Sequence, residues 1–173
     1  MRVAIVAGDN MDIITGTIAE KVGKQLILTG QTICTAESCT GGLIASQISD
    51  VSGSSAYFVG GVVSYSNNAK QEILGVSKLT IETYGAVSEE TVVEMARGAL
   101  SLFHTDMAVS ISGIMGPGGG SEEKPVGTVW ICVKDKDGSF TKKHRFSGDR
   151  IENKFSAAQA ALKMVTERLS SKG

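Results

Sequence analysis

The chain has 173 residues, a length suited to one domain over residues 1–173, and 42% hydrophobic with 20% charged residues allow a sizeable core and exclude wholesale disorder. A net charge of −1 with no basic block excludes the clustered Lys and Arg that a nucleic-acid partner requires. Cys34, Cys39 and Cys132 match no zinc or disulfide spacing, and no apolar run has the length of a membrane span or the form of a leader, so reduced thiols and a cytoplasmic location are expected, with no membrane partner.

Residues 3–7 read as a short strand. A helix is expected over 12–29, with Ile14, Ile18, Val22 and Leu26 facing the core, Asp12 at its start and Gly30 just past its end. Residues 31–36 read as a buried strand and 37–42 as a turn, followed by a helix of about three turns carrying Leu43, Ile44, Ile48 and Val51. A strand interrupted by Gly60-Gly61 covers 57–66, and short helices cover 67–74 and 77–83. Ser88 caps a stronger helix, with Glu89 and Glu90 favouring its dipole and Val92, Ala96, Ala99 and Phe103 facing inward. Residues 106–112 form another strand, then a glycine-rich loop spans 113–120. Strands 126–134 and 139–147 make a hairpin at Asp137-Gly138, and a final helix covers 149–169 with the stripe Ile151, Phe155, Ala158, Leu162, Val165 and Leu169. Alternating strands and helices plus one hairpin imply an α/β fold: a three-layer α/β/α sandwich with a mixed β-sheet.

Four segments could carry chemistry. In Thr35-Ala36-Glu37-Ser38-Cys39-Thr40-Gly41-Gly42 a hydroxyl stands where a strand meets a helix. The unpartnered N–H groups of a helix start can stabilise an anion there, as a serine nucleophile requires; a plain helix cap at Ser38 or Thr40 is the alternative. In Tyr65-Ser66-Asn67-Asn68-Ala69-Lys70 the lysine can act as a base if burial keeps it neutral; a solvated lysine is the alternative. The loop from Ser112 and Gly113 through Gly120 can cradle a phosphate, or simply connect strands. Arg150, after Asp149, stands against the helix dipole, which suits recognition of phosphate or carboxylate as well as a surface ion pair. Cys39 as nucleophile lacks a supporting histidine, and His104 and His144 have no local support for a metal site.

These segments, in this order, resemble the CinA carboxy-terminal domain family, the bacterial nicotinamide mononucleotide deamidases. The motifs carrying the likeness are residues 35–42, Gly53-Ser54-Ser55, Tyr65-Ser66-Asn67 with Lys70, Gly85-Ala86-Val87-Ser88 and Lys124-Pro125-Val126-Gly127-Thr128. The resemblance implies hydrolysis of nicotinamide mononucleotide to nicotinic acid mononucleotide and ammonia. It implies Ser38 as nucleophile, Lys70 as base and Tyr65 as their partner, with an oxyanion hole at Thr40, Gly41 and Gly42. It implies Ser112, Gly113 and Arg150 in contact with a small-molecule nucleotide, no metal or organic cofactor, and a homodimer. Two departures stand out. Met115 replaces a small residue and is expected to narrow the pocket. The run Arg150-Ile151-Glu152-Asn153-Lys154 puts acidic and neutral residues where the family often has an arginine, so a phosphate site is expected to lose positive charge. A related amidase with a shifted substrate, or a paralogue that binds a nucleotide with little or no catalysis, are the alternatives.

Overall fold

The computed structural model describes residues 16–171. The elements in chain order are α1 (Ile18–Thr29), β1 (Ile33–Glu37), α2 (Leu43–Ser49), β2 (Phe58–Val63), α3 (Asn67–Leu74), α4 (Lys78–Tyr84), α5 (Glu89–Phe103), β3 (Met107–Gly113), β4 (Thr128–Asp135), β5 (Gly138–Arg145) and α6 (Arg150–Ser170). The sheet order is β2-β1-β3-β4-β5, with β2, β1 and β3 parallel and β4 and β5 antiparallel. Helices cover both faces, so the expected three-layer mixed α/β architecture is the one observed.

Alternation along each strand divides the core in two. Ile33, Met107, Val109, Ile111, Val129, Ile131 and Val133 pack with α1, α2 and α6. Cys34, Ala36, Ala108 and Cys132 point the other way, beneath α3 and α5. Small side chains on that second face bring its helices close. At Gly98 of α5 a Cβ would lie 1.9 Å from the Leu74 carbonyl oxygen at the end of α3, so only glycine fits. In a sheet of this order the chain leaves β1 in one direction toward β2 and returns on the other side at β3. The crevice beyond the carboxyl ends of β1 and β3 is where such folds bind ligands.

Several boundaries move. Helix α1 starts at Ile18, not at residue 12: Thr17 caps it, accepting from the Glu20 N–H at 3.2 Å while the Glu20 carboxylate accepts from the Thr17 N–H, and Gly16 precedes as a bend. The expected strand 3–7, Ile14 and Asp12 lie outside the described residues. Helix α2 spans seven residues, so Val51 falls beyond its end. The hairpin turn is Lys136-Asp137, because Asp135 pairs with Gly138. In α6 the expected stripe holds from Ala158 to Leu169 but fails at Ile151 and Phe155, which are exposed. The inward position there belongs to buried Asn153, which donates to the Met115 carbonyl at 3.1 Å and accepts from the Gly148 N–H at 3.0 Å.

Candidate functional site

The sheet ladder runs one residue past β1. The Ser38 N–H donates to the Ile111 carbonyl at 3.1 Å and the Ser64 N–H donates to the Glu37 carbonyl at 2.8 Å. With Glu37 opposite Val63 on one side and Ile111 on the other, Ser38 leaves the sheet between Ser64 and Ser112. Alternation sends its side chain after Cys34 and Ala36 toward the layer of α3 and α5.

Helix α3 supplies the partner. Ser66 caps it, accepting from the Ala69 N–H at 3.0 Å, and Lys70 follows one turn in. Lys70 is 1% exposed, and its Nζ lies 2.9 Å from Ser38 Oγ. The same nitrogen donates to the Ser64 carbonyl at 2.8 Å and the Tyr65 carbonyl at 3.4 Å. Three neighbours thus surround it, none of them a carboxylate. Burial without a compensating anion pushes the ammonium below its ordinary value of 10.5.

Glu37 fixes the turn from inside. Its carboxylate is wholly buried and accepts from Thr40 Oγ1 at 2.7 Å and from the N–H groups of Gly42, Ile44 and Ala45 at 3.1, 3.0 and 2.8 Å. It thereby satisfies the amides of Gly42, Ile44 and Ala45 at the start of α2 and complements the helix dipole, the work expected of an ordinary cap. Neither Ser38 nor Thr40 caps α2; Gly42 stands at that position with φ 96°, and Gly41 before it has φ 65°. The sequence displays this glutamate beside Ser38, yet reading it as part of a turn gave it no task. The signal available was an acidic residue just ahead of a helix start.

The expected oxyanion donors are largely spent: the Gly42 N–H goes to Glu37 and the Gly41 N–H to the Ser38 carbonyl at 3.1 Å. The Thr40 N–H lies by the Cys39 sulfur. Tyr65 also differs from expectation. Its phenol is exposed and accepts from Arg150 Nη2 at 3.0 Å, and only its backbone carbonyl meets Lys70. Arg150 also donates through Nη1 to the Gly116 carbonyl at 2.8 Å, tying the glycine-rich loop to the segment after β2. The Ser112 hydroxyl is buried and donates to the Ala86 carbonyl at 2.7 Å. At Gly113 a Cβ would crowd the Thr128 carbonyl oxygen at 2.8 Å, so packing against β4 selects glycine there.

Met115 does not narrow the site. Its side chain is 3% exposed and belongs to the core beneath α6. Cys39 sits in that same core with its thiol pushed up to about 12 by burial, so no thiolate competes with Ser38 at neutral pH. Lys154, overlooked when its segment was read as acidic and neutral, brings its Nζ to 3.6 Å from where a Cβ on Gly41 would stand. It lies four residues after Arg150, hence on the same side of α6, a spacing the sequence already displays. The broad groove between α1, α2 and α6, lined by Gly23, Leu43, Gln47 and Phe155, contains none of Ser38, Lys70, Tyr65 or Arg150. Among the described residues no helix is long and apolar enough to cross a membrane, and no group of three His, Cys, Asp or Glu could hold a metal ion.

Residues 15–169 match the family model of the CinA C-terminal domain. The chain is 54% identical over 146 residues to a nicotinamide-nucleotide amidohydrolase PncC of Enterobacter agglomerans, covering 84% of this chain and 89% of that protein. It is 51% identical over 152 residues to the protein of the same name from Escherichia coli K12, covering 87% and 92%. A crystal structure of a CinA superfamily protein from Klebsiella pneumoniae superposes with a TM-score of 0.86 at 36% identity, covering 89% of this chain and 96% of that one.

Proposed function

From the premise that the chain belongs to the CinA C-terminal domain family, we propose that it is an amidohydrolase that cleaves the carboxamide of nicotinamide mononucleotide by Ser–Lys chemistry. The observation that carries this reading is the buried Lys70 Nζ, 2.9 Å from Ser38 Oγ and held from behind by two backbone carbonyls. A neutral amine has two N–H groups and one lone pair. With the N–H groups given to the carbonyls of Ser64 and Tyr65, the lone pair is left facing the Ser38 hydroxyl.

In the first half-reaction Lys70 takes the Ser38 proton as Oγ bonds to the carboxamide carbon, and the carbonyl π electrons move onto oxygen. Of the three expected donors only the Thr40 N–H has no oxygen acceptor, and it would have to turn from the Cys39 sulfur to serve that oxyanion. Collapse breaks the C–N bond, and the protonated Lys70 gives its proton to departing ammonia. In the second half-reaction Lys70 takes a proton from water, hydroxide oxygen bonds to the acyl carbon, and Ser38 leaves with the proton returned. The products are nicotinic acid mononucleotide and ammonia. Arg150, between Tyr65 and the glycine-rich loop, is suited to an anionic group of the substrate.

The reading with a shifted substrate rested on Met115, and the burial of that side chain removes its motive. A homodimer in the cytoplasm belongs to the same proposal; the exposed Val59 and Val63 on edge strand β2 support self-association, which native mass measurement checks. The deciding experiment is ammonia release from nicotinamide mononucleotide. The native chain is expected to turn over, and Ser38→Ala to lose roughly 10³-fold or more with an unchanged circular dichroism spectrum. An undiminished Ser38→Ala enzyme sinks the proposal.

A further inference from the structure

The geometry points to Glu37 as a positioning residue for the reaction: through Thr40 it sets the amide of the turn that an oxyanion can use, an inference that rests on the proposed Ser38–Lys70 chemistry.

Capping alone does not account for where this carboxylate stands. The N-cap position of α2 is Gly42, and a short polar side chain there would serve the first amides from the edge of the helix. Glu37 instead reaches them from the end of β1, five positions before Gly42, and is wholly buried. Enclosing a carboxylate costs more than placing a hydroxyl at a helix start. What the longer reach adds is a loop closed over residues 38–41, with the nucleophile inside it. Alternation sends the Glu37 side chain to the face of β1 opposite Ser38, so the carboxylate acts on the reaction only through that turn.

The Thr40 hydroxyl is the informative contact. Fully buried, it donates at 2.7 Å to the Glu37 oxygen that also takes the Gly42 and Ile44 N–H groups. That bond satisfies no helix amide and adds nothing to a cap. It fixes the residue whose N–H has only the Cys39 sulfur beside it. Ser38 is held independently, its N–H on the Ile111 carbonyl and its carbonyl on the Gly41 N–H. With the chain held at Ser38 and the side chain held at Oγ1, the Thr40 amide can turn from the sulfur to an oxyanion without unravelling the turn. Released from Glu37, it samples orientations that miss the oxyanion, and a donor that must reorganise loses much of its catalytic worth.

Two rates test this in the native chain and in Glu37→Gln, Thr40→Val and Thr40→Ser. One is ammonia release from nicotinamide mononucleotide. The other is labelling of Ser38 by a fluorophosphonate, in which an Oγ–P bond forms, fluoride leaves and the phosphoryl oxygen occupies the oxyanion position. In Glu37→Gln, kcat per folded molecule is expected to fall about 10²-fold with KM within about threefold, and labelling to slow in parallel. Thr40→Val leaves the three helix amides on Glu37 and is expected to lose about tenfold in both rates; Thr40→Ser, which keeps the hydroxyl, is expected to lie about fivefold above it. The rise of log kcat/KM with pH is expected to keep its native position in Glu37→Gln while its plateau drops, because no partner of Lys70 is removed. A limb that moves assigns the carboxylate to the charge on Lys70 and overturns the inference. Lost stability with native kcat per folded molecule makes Glu37 a cap alone and overturns it too. Native rates in Thr40→Val do the same, and that variant decides the matter if Glu37→Gln does not fold. A native chain labelled at Ser38 that releases no ammonia defeats the substrate reading alone, and the labelling rates then judge Glu37. A native chain that does neither removes the nucleophile and the inference with it.

Discussion

The two faces of the sheet are built from different side chains, and the difference separates stability from chemistry. Toward α1, α2 and α6 the strands present Ile33, Met107, Val109, Ile111, Val129, Ile131 and Val133, a dry layer of large residues. Toward α3 and α5 they present Cys34, Ala36, Ala108 and Cys132, then hydroxyls at the carboxyl ends: Ser38, Ser64, Ser110 and Ser112. Small residues let α3 approach until Lys70 reaches Ser38. Thinner packing on one side creates room for a polar pair that the other side could not admit without unsatisfied groups. The large-residue face supplies apolar burial in compensation, with Leu162, Met164 and Val165 of α6 almost fully enclosed.

The sharpest way to break this division is Lys70→Met, which keeps the volume and removes the base. Turnover is expected to fall about 10²- to 10⁴-fold, read as ammonia release, with the fold retained. In the native chain log kcat/KM should climb as pH rises and Lys70 loses its proton, levelling off below 10.5 because burial lowers that group's pKa. The stability consequence has the same sign. The unfolded chain binds the proton more readily than the folded one, so stability is greatest above 10.5 and declines as pH falls through the folded-state value. Lys70→Met should remove that component from urea titrations taken across pH; a persisting component would assign it to another group.

Leu162→Ala tests the opposite face. A cavity there is expected to cost about 2–5 kcal/mol in chemical denaturation, with kcat per folded molecule unaltered. Gly98→Ala tests the thin face by overpacking. Its new methyl meets the Leu74 carbonyl oxygen, so α5 and α3 must part, at about 1–3 kcal/mol. Here kcat should fall as well, because Lys70 rides on α3. Equal kcat in these two variants would erase the proposed separation of roles.

What the sequence disclosed follows the range of the interactions involved. Gly30, Ser88 and Asp149 act within a few residues, and each sits at the helix end its residue type indicated. Alternation and helical periodicity were enough for the layered mixed sheet. Periodicity overran where it had no tertiary partner: Ile151 and Phe155 continue the stripe of α6, but Asn153 takes the inward place to hold the Met115 carbonyl. Ser38 and Lys70 are 32 positions apart, and no local pattern joins them; the family likeness suggested the pair, and the packing of α3 against α5 beside the end of β1 brings the atoms to 2.9 Å. The contacts made by Glu37 and Lys154 and the inward turn of Met115 depend on distant groups for a related reason. Which way a loop or helix-end side chain points depends on groups far along the chain, such as the amides of α2 or the core beneath α6.

The smallest expected effect links the faces. Asp149 caps α6, accepting from the N–H groups of Ile151 and Glu152 at 2.8 and 2.9 Å, while its own N–H donates to Glu152. Asp149→Ala is expected to cost about 1 kcal/mol of stability, the usual consequence of losing such a cap. The first turns of α6 also carry Arg150, bonded to the Gly116 carbonyl, and Asn153, bonded to the Met115 carbonyl. A frayed cap loosens both holds on the loop beside the crevice while leaving Ser38, just past β1, and Lys70, on α3, in place. The measurable consequence is a rise in KM of a few fold with kcat little changed. A loss confined to kcat would mean that the end of α6 shapes the Ser38–Lys70 contact itself, and the helix on the large-residue face would then share in the chemistry it is here assigned only to support.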